Sequence, residues 1–111
     1  MTETTDILVF PLAQLGHAFS TRDRGLRALA DLQSQMLKAD TGQVIVDFGG
    51  VRTVSYSFAD GFFGKLAQRA ADAHLDPPQA KNLAAEVREQ VVSSLADRGL
   101  SLHQVDEIVA A

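Results

Sequence analysis

Ser55, Ser57 and Asp60 stand close together behind a Gly49-Gly50 turn, within the stretch that runs from Val44 to Leu66. A serine hydroxyl can attack, cap a helix or carry a phosphate, and the neighbouring residues decide which. Attack requires activation by a base, most often histidine. His17, His74 and His103 lie in three separate segments, and there is no cysteine, no G-x-S-x-G elbow and no glycine-rich phosphate loop. No catalytic residue, metal site or cofactor is expected, and an enzyme is the minority reading. Capping remains: Ser57-x-x-Asp60 precedes an apolar helical pattern and resembles a capping box. The same helix start exposes unpaired N–H groups and a partial positive charge, so it also suits an anion. Asp47, next to Phe48-Gly49, reads as a turn residue bonding its own backbone.

These side chains need a strand, a turn and a helix to position them. Val44 to Phe48 is a short β-branched run that reads as a central strand, with Val51 to Val54 as an extension beyond the glycines. The helix after it should span about Phe58 to His74, with Phe62, Leu66, Ala70 and Ala73 on one face. Gly61 and Gly64 cost that helix about 1 kcal/mol each relative to alanine. Close packing against a neighbouring element is the simplest compensation.

Upstream, residues 1–5 read as a loose N-terminus, and Asp6 to Phe10 as a first strand stopped by Pro11. Leu12 to Phe19 reads as a short second strand or a packed loop. Ser20-Thr21 and Asp23 open a helix to about Lys38, with Leu26, Leu29, Ala30, Met36 and Leu37 on one side. Arg22 sits in its first turn, where the dipole disfavours a cation, which suggests a specific pairing with Asp60 or an anion near Ser57. Downstream, Asp76-Pro77-Pro78 breaks the chain and a third helix reads from about Ala80 to Asp97, ended by Gly99. Ser101 to Gln104 has capping-box spacing for a short last helix.

The chain has 111 residues, 46% apolar and 22% charged, with a net charge of -4. That fits one soluble domain over residues 6–111, α/β in class, with a small mixed sheet covered by three to four helices. No basic cluster supports a nucleic-acid partner, and no apolar run supports a membrane span or leader, so a cytoplasmic location is expected.

Ser20-Thr-Arg-Asp-Arg-Gly25, Val46-Asp-Phe-Gly-Gly-Val51, Val54-Ser-Tyr-Ser-Phe-Ala-Asp60 and Phe63-Gly-Lys-Leu66 together resemble the STAS-like domains of unknown function. Asn82 and the run Val87 to Val92 extend the resemblance, which covers about Ile7 to Leu95. It implies a regulatory, protein-binding module related to anti-sigma factor antagonists, in which a kinase-like partner phosphorylates a serine at a helix start. Ser57 matches that serine, and Ser55 falls where those domains often carry an aspartate. The implied contact surface is Arg22, Ser55, Ser57, Phe58, Asp60 and Gly61. Two positions depart from the patterns: Gly61 replaces the STAS-like glutamate, and Phe58 replaces the glycine that follows the antagonist phosphoserine. The alternatives are a structural domain that forms a homodimer through a sheet edge, and a small anion- or ligand-binding domain.

Overall fold

The computed structural model describes residues 7–16 and 19–110. The loose stretch expected over residues 1–5, the strand residue Asp6, and His17 and Ala18 lie outside the described residues.

Strand β1 (Leu8–Pro11), helix α1 (Arg22–Ala39), strand β2 (Val44–Asp47), helices α2 (Tyr56–Ala59) and α3 (Lys65–Asp72), strand β3 (Gln79–Lys81), and helices α4 (Ala85–Asp97) and α5 (Leu102–Val109) follow in order. The expected α/β class is present, and β2 is central, with β1 and β3 paired on either side of it. The sheet is parallel throughout rather than mixed. Parallel neighbours need a crossover, and each link between consecutive strands here carries helix. Phe10, Val46 and Ala80 share one row across the sheet and are fully buried, while the next row, Val9, Ile45 and Gln79, is exposed or half-buried. The core therefore lies on one face.

Three expectations are corrected or narrowed. Of the two readings of Leu12 to Phe19, a short strand or a packed loop, the strand is absent among the described residues; Leu12–Leu15 is a 3-10 turn that buries Leu12. Val51 to Val54 does not extend β2, because Val51 donates its N–H to Phe48 at 2.9 Å and closes a turn with Gly50 at φ +84°. Such a φ suits glycine. Both valines are buried as loop plugs instead. Finally, the helix expected from Ala80 begins only at Ala85. Gln79-Ala80-Lys81 alternates exposed, buried, exposed and pairs with β2, and Asn82 at φ +58° turns the chain away before the helix starts.

Local signals hold where the physics is local. Thr21 caps α1 by accepting the Arg24 N–H at 3.1 Å. Gly99, at φ +89°, follows α4, and the Ser101–Gln104 capping box closes in both directions. The buried side of α1, however, is Gly25, Ala28, Leu29 and Leu32, so Leu26, Ala30 and Leu37 turn outward.

All six phenylalanines are buried and form one connected set. Phe19 meets Phe58, Phe58 meets Phe62, and Phe62 touches both Phe10 of β1 and Phe63, which reaches Phe48 after β2. The centroid separations, 5.2 to 6.4 Å, are those of tilted and edge-on aromatic pairs. This set joins the sheet to the helix that carries the candidate site.

Candidate functional site

That helix is continuous from Tyr56 to Asp72, but its middle, Asp60–Gly64, is a π segment. The wider turn hands the Asp60 carbonyl the N–H of Lys65. Within the segment Phe62 and Phe63 are both fully enclosed. Insertions of this kind often sit at functional positions.

At the start of the segment, Asp60 is the centre of a charged cluster. Its carboxylate accepts hydrogen bonds from Arg22 Nη1 (2.7 Å), Ser94 Oγ (2.7 Å), Arg98 Nε (2.7 Å) and Arg98 Nη2 (3.0 Å). Arg98 Nη2 also donates to the Asp60 carbonyl at 3.1 Å, and its Nη1 donates to Gln68 Oε1 at 2.6 Å. The two arginines differ in setting: the Arg98 side chain is 19% exposed and Arg22 47%, around an Asp60 side chain that is 12% exposed. Burial pushes the Asp60 carboxyl up, yet the hydrogen bonds from Arg98, Ser94 and Arg22 outweigh it and hold the group well below the usual carboxylate range. Beside this cluster Tyr56 donates its hydroxyl to Asp97 at 2.7 Å, and that bond raises the phenol.

The pairing of Arg22 with Asp60 expected from the helix dipole is thus present. Ser94 and Arg98 had no sequence signal as partners: Ser94 lies inside an apolar helix stripe, and Arg98 reads as a C-terminal helix residue.

The capping role moves by two residues. Ser55, not Ser57, is the cap: its backbone is extended and its Oγ accepts the Phe58 N–H at 3.0 Å. Val54 and Ser55 are held by the preceding loop, where Ser55 donates its N–H to the Phe19 carbonyl at 2.9 Å, so the helix starts one residue after Ser55. Ser57 is then within the first turn and half-buried. Ser55→Ala should cost about 1 kcal/mol of stability, whereas Ser57→Ala should stay within about 0.5 kcal/mol. Urea unfolding of both variants checks the assignment, and the reverse order would return the cap to Ser57.

Phe58, Asp60 and Gly61 are buried and Arg22 is exposed, so the outward part of the expected surface reduces to Arg22, Ser55 and Ser57. Gly61 faces α1, where an added Cβ would stand 3.1 Å from both the Arg22 carbonyl and its Cγ. A glutamate there would push against the helix that supplies Arg22. Asp47 behaves as a turn residue: its Oδ1 accepts Asn82 Nδ2 at 2.9 Å and the Gly49 N–H at 2.8 Å, and these bonds lower its carboxyl. His74 follows α3 and His103 lies in α5. No helix among the described residues is long and apolar enough to cross a membrane.

A family model described as a STAS-like domain of unknown function matches residues 29–77. It is the family that the motifs around Val46 to Leu66 resemble, and the matched segment takes in β2, Ser55, Ser57 and Asp60. Arg22, Ser94 and Arg98, which complete the charged cluster, lie outside it. No curated protein and no solved structure matches the chain.

Proposed function

We propose that this chain, whose centre matches a STAS-like family model, is a non-catalytic protein-interaction module in the cytoplasm, regulated by phosphorylation of Ser57 and read by a kinase-like ATPase or signalling protein. One observation carries the reading: two guanidinium groups converge on one carboxylate, one helical turn beyond a half-buried serine in a first helical turn. In a continuous helix, residues three apart share a face, so Ser57 shares the face of Asp60. The immediate cluster carries two positive charges against one negative. A phosphoryl group there would add nearly two negative charges and three acceptors beside a positive helix end. It would compete with Asp60 for Arg22, which is the exposed and therefore exchangeable partner. Arg98, enclosed and tied to Gln68, would keep Asp60 in place. The change would be local, at Arg22, Ser55 and Ser57, which is the kind of surface edit a binding partner can read.

Peptide mass spectrometry of the protein from its own cells tests this on the tryptic fragment Thr53 to Lys65. A phosphate on Ser57, together with altered partner capture by Ser57→Asp but an unchanged fold, supports the switch. An unmodified peptide across growth conditions would remove it.

A second reading has its own observation. Val9 is 53% exposed on the open row of a parallel sheet, a class of sheet normally covered on both faces. That favours a structural homodimer formed through β1 and this face. Sedimentation of the wild-type chain and of Val9→Lys separates the two: dissociation of a dimer by Val9→Lys supports the structural reading.

A further inference from the structure

A cleft of about 640 Å³ opens at the opposite end of β2, beside Val44, where α1 and α3 both terminate. From this cleft we infer a second docking site, independent of the Ser57 reading, for a basic amphipathic helix of a partner protein.

The walls are apolar, formed by Met36 and Leu37 of α1 and by Leu66, Ala70 and Leu75 on the α3 side. Two of these are largely exposed: Leu37 at 83% and Leu75 at 60%. Both helices end in the same way. Thr41 and Asp40 donate back to Met36 and Leu37, and Leu75 and His74 donate back to Ala70 and Ala71. Asp40 and His74, the residues that make these turns, have φ of +54° and +57°. This is the Schellman closure, here made without glycine.

Strand addition is ruled out, because β2 is the strand that borders it and both of its edges are already paired. Polyproline docking relies on aromatic grooves, and no aromatic side chain among the described residues lines this one. Phosphorylated or acidic motifs call for arginine clusters, whereas among the described residues one arginine, Arg69, lines the cleft together with Asp40 and Asp76. The C-terminal ends of α1 and α3 add partial negative charge to those two aspartates. A small ligand is usually buried over about 70–90% of its surface, and a rim with exposed Leu37 and Leu75 leaves too much open. What fits is an apolar stripe laid between the two helix ends, with lysines or arginines flanking it to meet Asp40 and Asp76.

The test uses the full chain and a fluorescein-labelled synthetic helix of leucine and lysine, leucines at i, i+3, i+4 and i+7, with a leucine–glutamate helix as its counterpart. Fluorescence anisotropy should show saturable binding of the first, weakened by salt, and binding of the second lower by about tenfold or more. Leu37→Lys should weaken binding by about tenfold or more, while Leu102→Lys, an equally exposed leucine in α5 outside the cleft, should not. Asp40→Asn with Asp76→Asn should reduce affinity several-fold and flatten the salt dependence; asparagine tolerates the left-handed turn at position 40. Equal losses in Leu37→Lys and Leu102→Lys, equal binding of both helices, or no saturable binding below about 1 mM would overturn the proposal. So would a wild-type dimer that Leu37→Lys dissociates, since the occupant would then be a second copy.

Discussion

Asp60→Ala is expected to destabilise the chain by about 3–5 kcal/mol, the range for removing one partner of a buried ion pair. The loss leaves Arg98 enclosed with no carboxylate and Ser94, fully buried, without its acceptor. Against a typical domain stability of about 5–15 kcal/mol, that approaches unfolding. Arg22→Ala should cost no more than about 1 kcal/mol, because the Arg22 side chain is half in water and its pair is screened. The ranking is what matters: the same carboxylate holds one partner for structure and one that can be exchanged. Chemical denaturation of the single variants and of Asp60→Ala with Arg22→Ala measures it. A cost below about 1 kcal/mol for Asp60→Ala would mean that the cluster is solvated in solution.

The same residue sets an acid limit. Its folded carboxyl lies below the ordinary value, held there by Arg98, Ser94 and Arg22 against the opposing effect of burial. The unfolded carboxyl titrates near about 3.9, so below that pH the unfolded chain binds the proton first. The stabilisation is complete above the unfolded value and is lost as pH falls towards the folded one. Unfolding free energy measured from pH 6 downward should therefore decline through about pH 4, and Asp60→Asn should flatten that decline. An identical slope in the variant would assign the acid sensitivity to other carboxylates.

The second large effect concerns two glycines at helix crossings. Gly25→Ala would put a Cβ 2.6 Å from the Phe58 carbonyl oxygen, a backbone atom that cannot swing aside. α1 would have to move off the helix that carries Phe58 and Phe62. Alanine recovers about 1 kcal/mol of helix propensity, but overpacking costs typically 1–3 kcal/mol and more where backbone must move, so a net loss of about 2 kcal/mol is expected. Gly64→Ala collides with Ser94 Oγ and crowds Asp60 Oδ1 and Arg98 Nε, so it should disturb the charged cluster as well as the packing. Because the clashing atom is a side-chain oxygen, Gly64→Ala with Ser94→Ala should be less destabilised than the two single losses added together. Gly25→Ala has no such rescue. Gly61→Ala, at 3.1 Å from Arg22, should be nearly neutral, with propensity offsetting a small displacement. Thermal unfolding of the five variants, Ser94→Ala included, tests this order, and a stabilised Gly25→Ala would show that α1 is not held as closely as the Phe58 carbonyl implies.

Several features of this protein were determined within a few residues of sequence. The β-branched run at Val44 packs as a strand because its side chains suit a buried sheet wherever the sheet lies. Thr21, Gly99 and the Ser101–Gln104 box act on backbone groups no more than a few residues away, so composition and spacing sufficed. Asp47 turned back on the Gly49 N–H for the same reason. Other features waited for the fold. Gln79-Ala80-Lys81 is too short to announce a strand and became one only because the paired β2 offers it a ladder. Ser55 won the cap over Ser57 because the loop bond to Phe19 fixed where the helix could begin. The inward side of α1 rotated to Gly25, since only a glycine admits the Phe58 backbone, and that turned Leu37 out to the cleft. Asp60 could be paired with Arg22 from helix electrostatics, but Ser94 and Arg98, 34 and 38 residues away, reach it only through the packing of α4 on the π segment. Hydrogen bonds across that separation have no local pattern, so tertiary structure alone decided which charges meet.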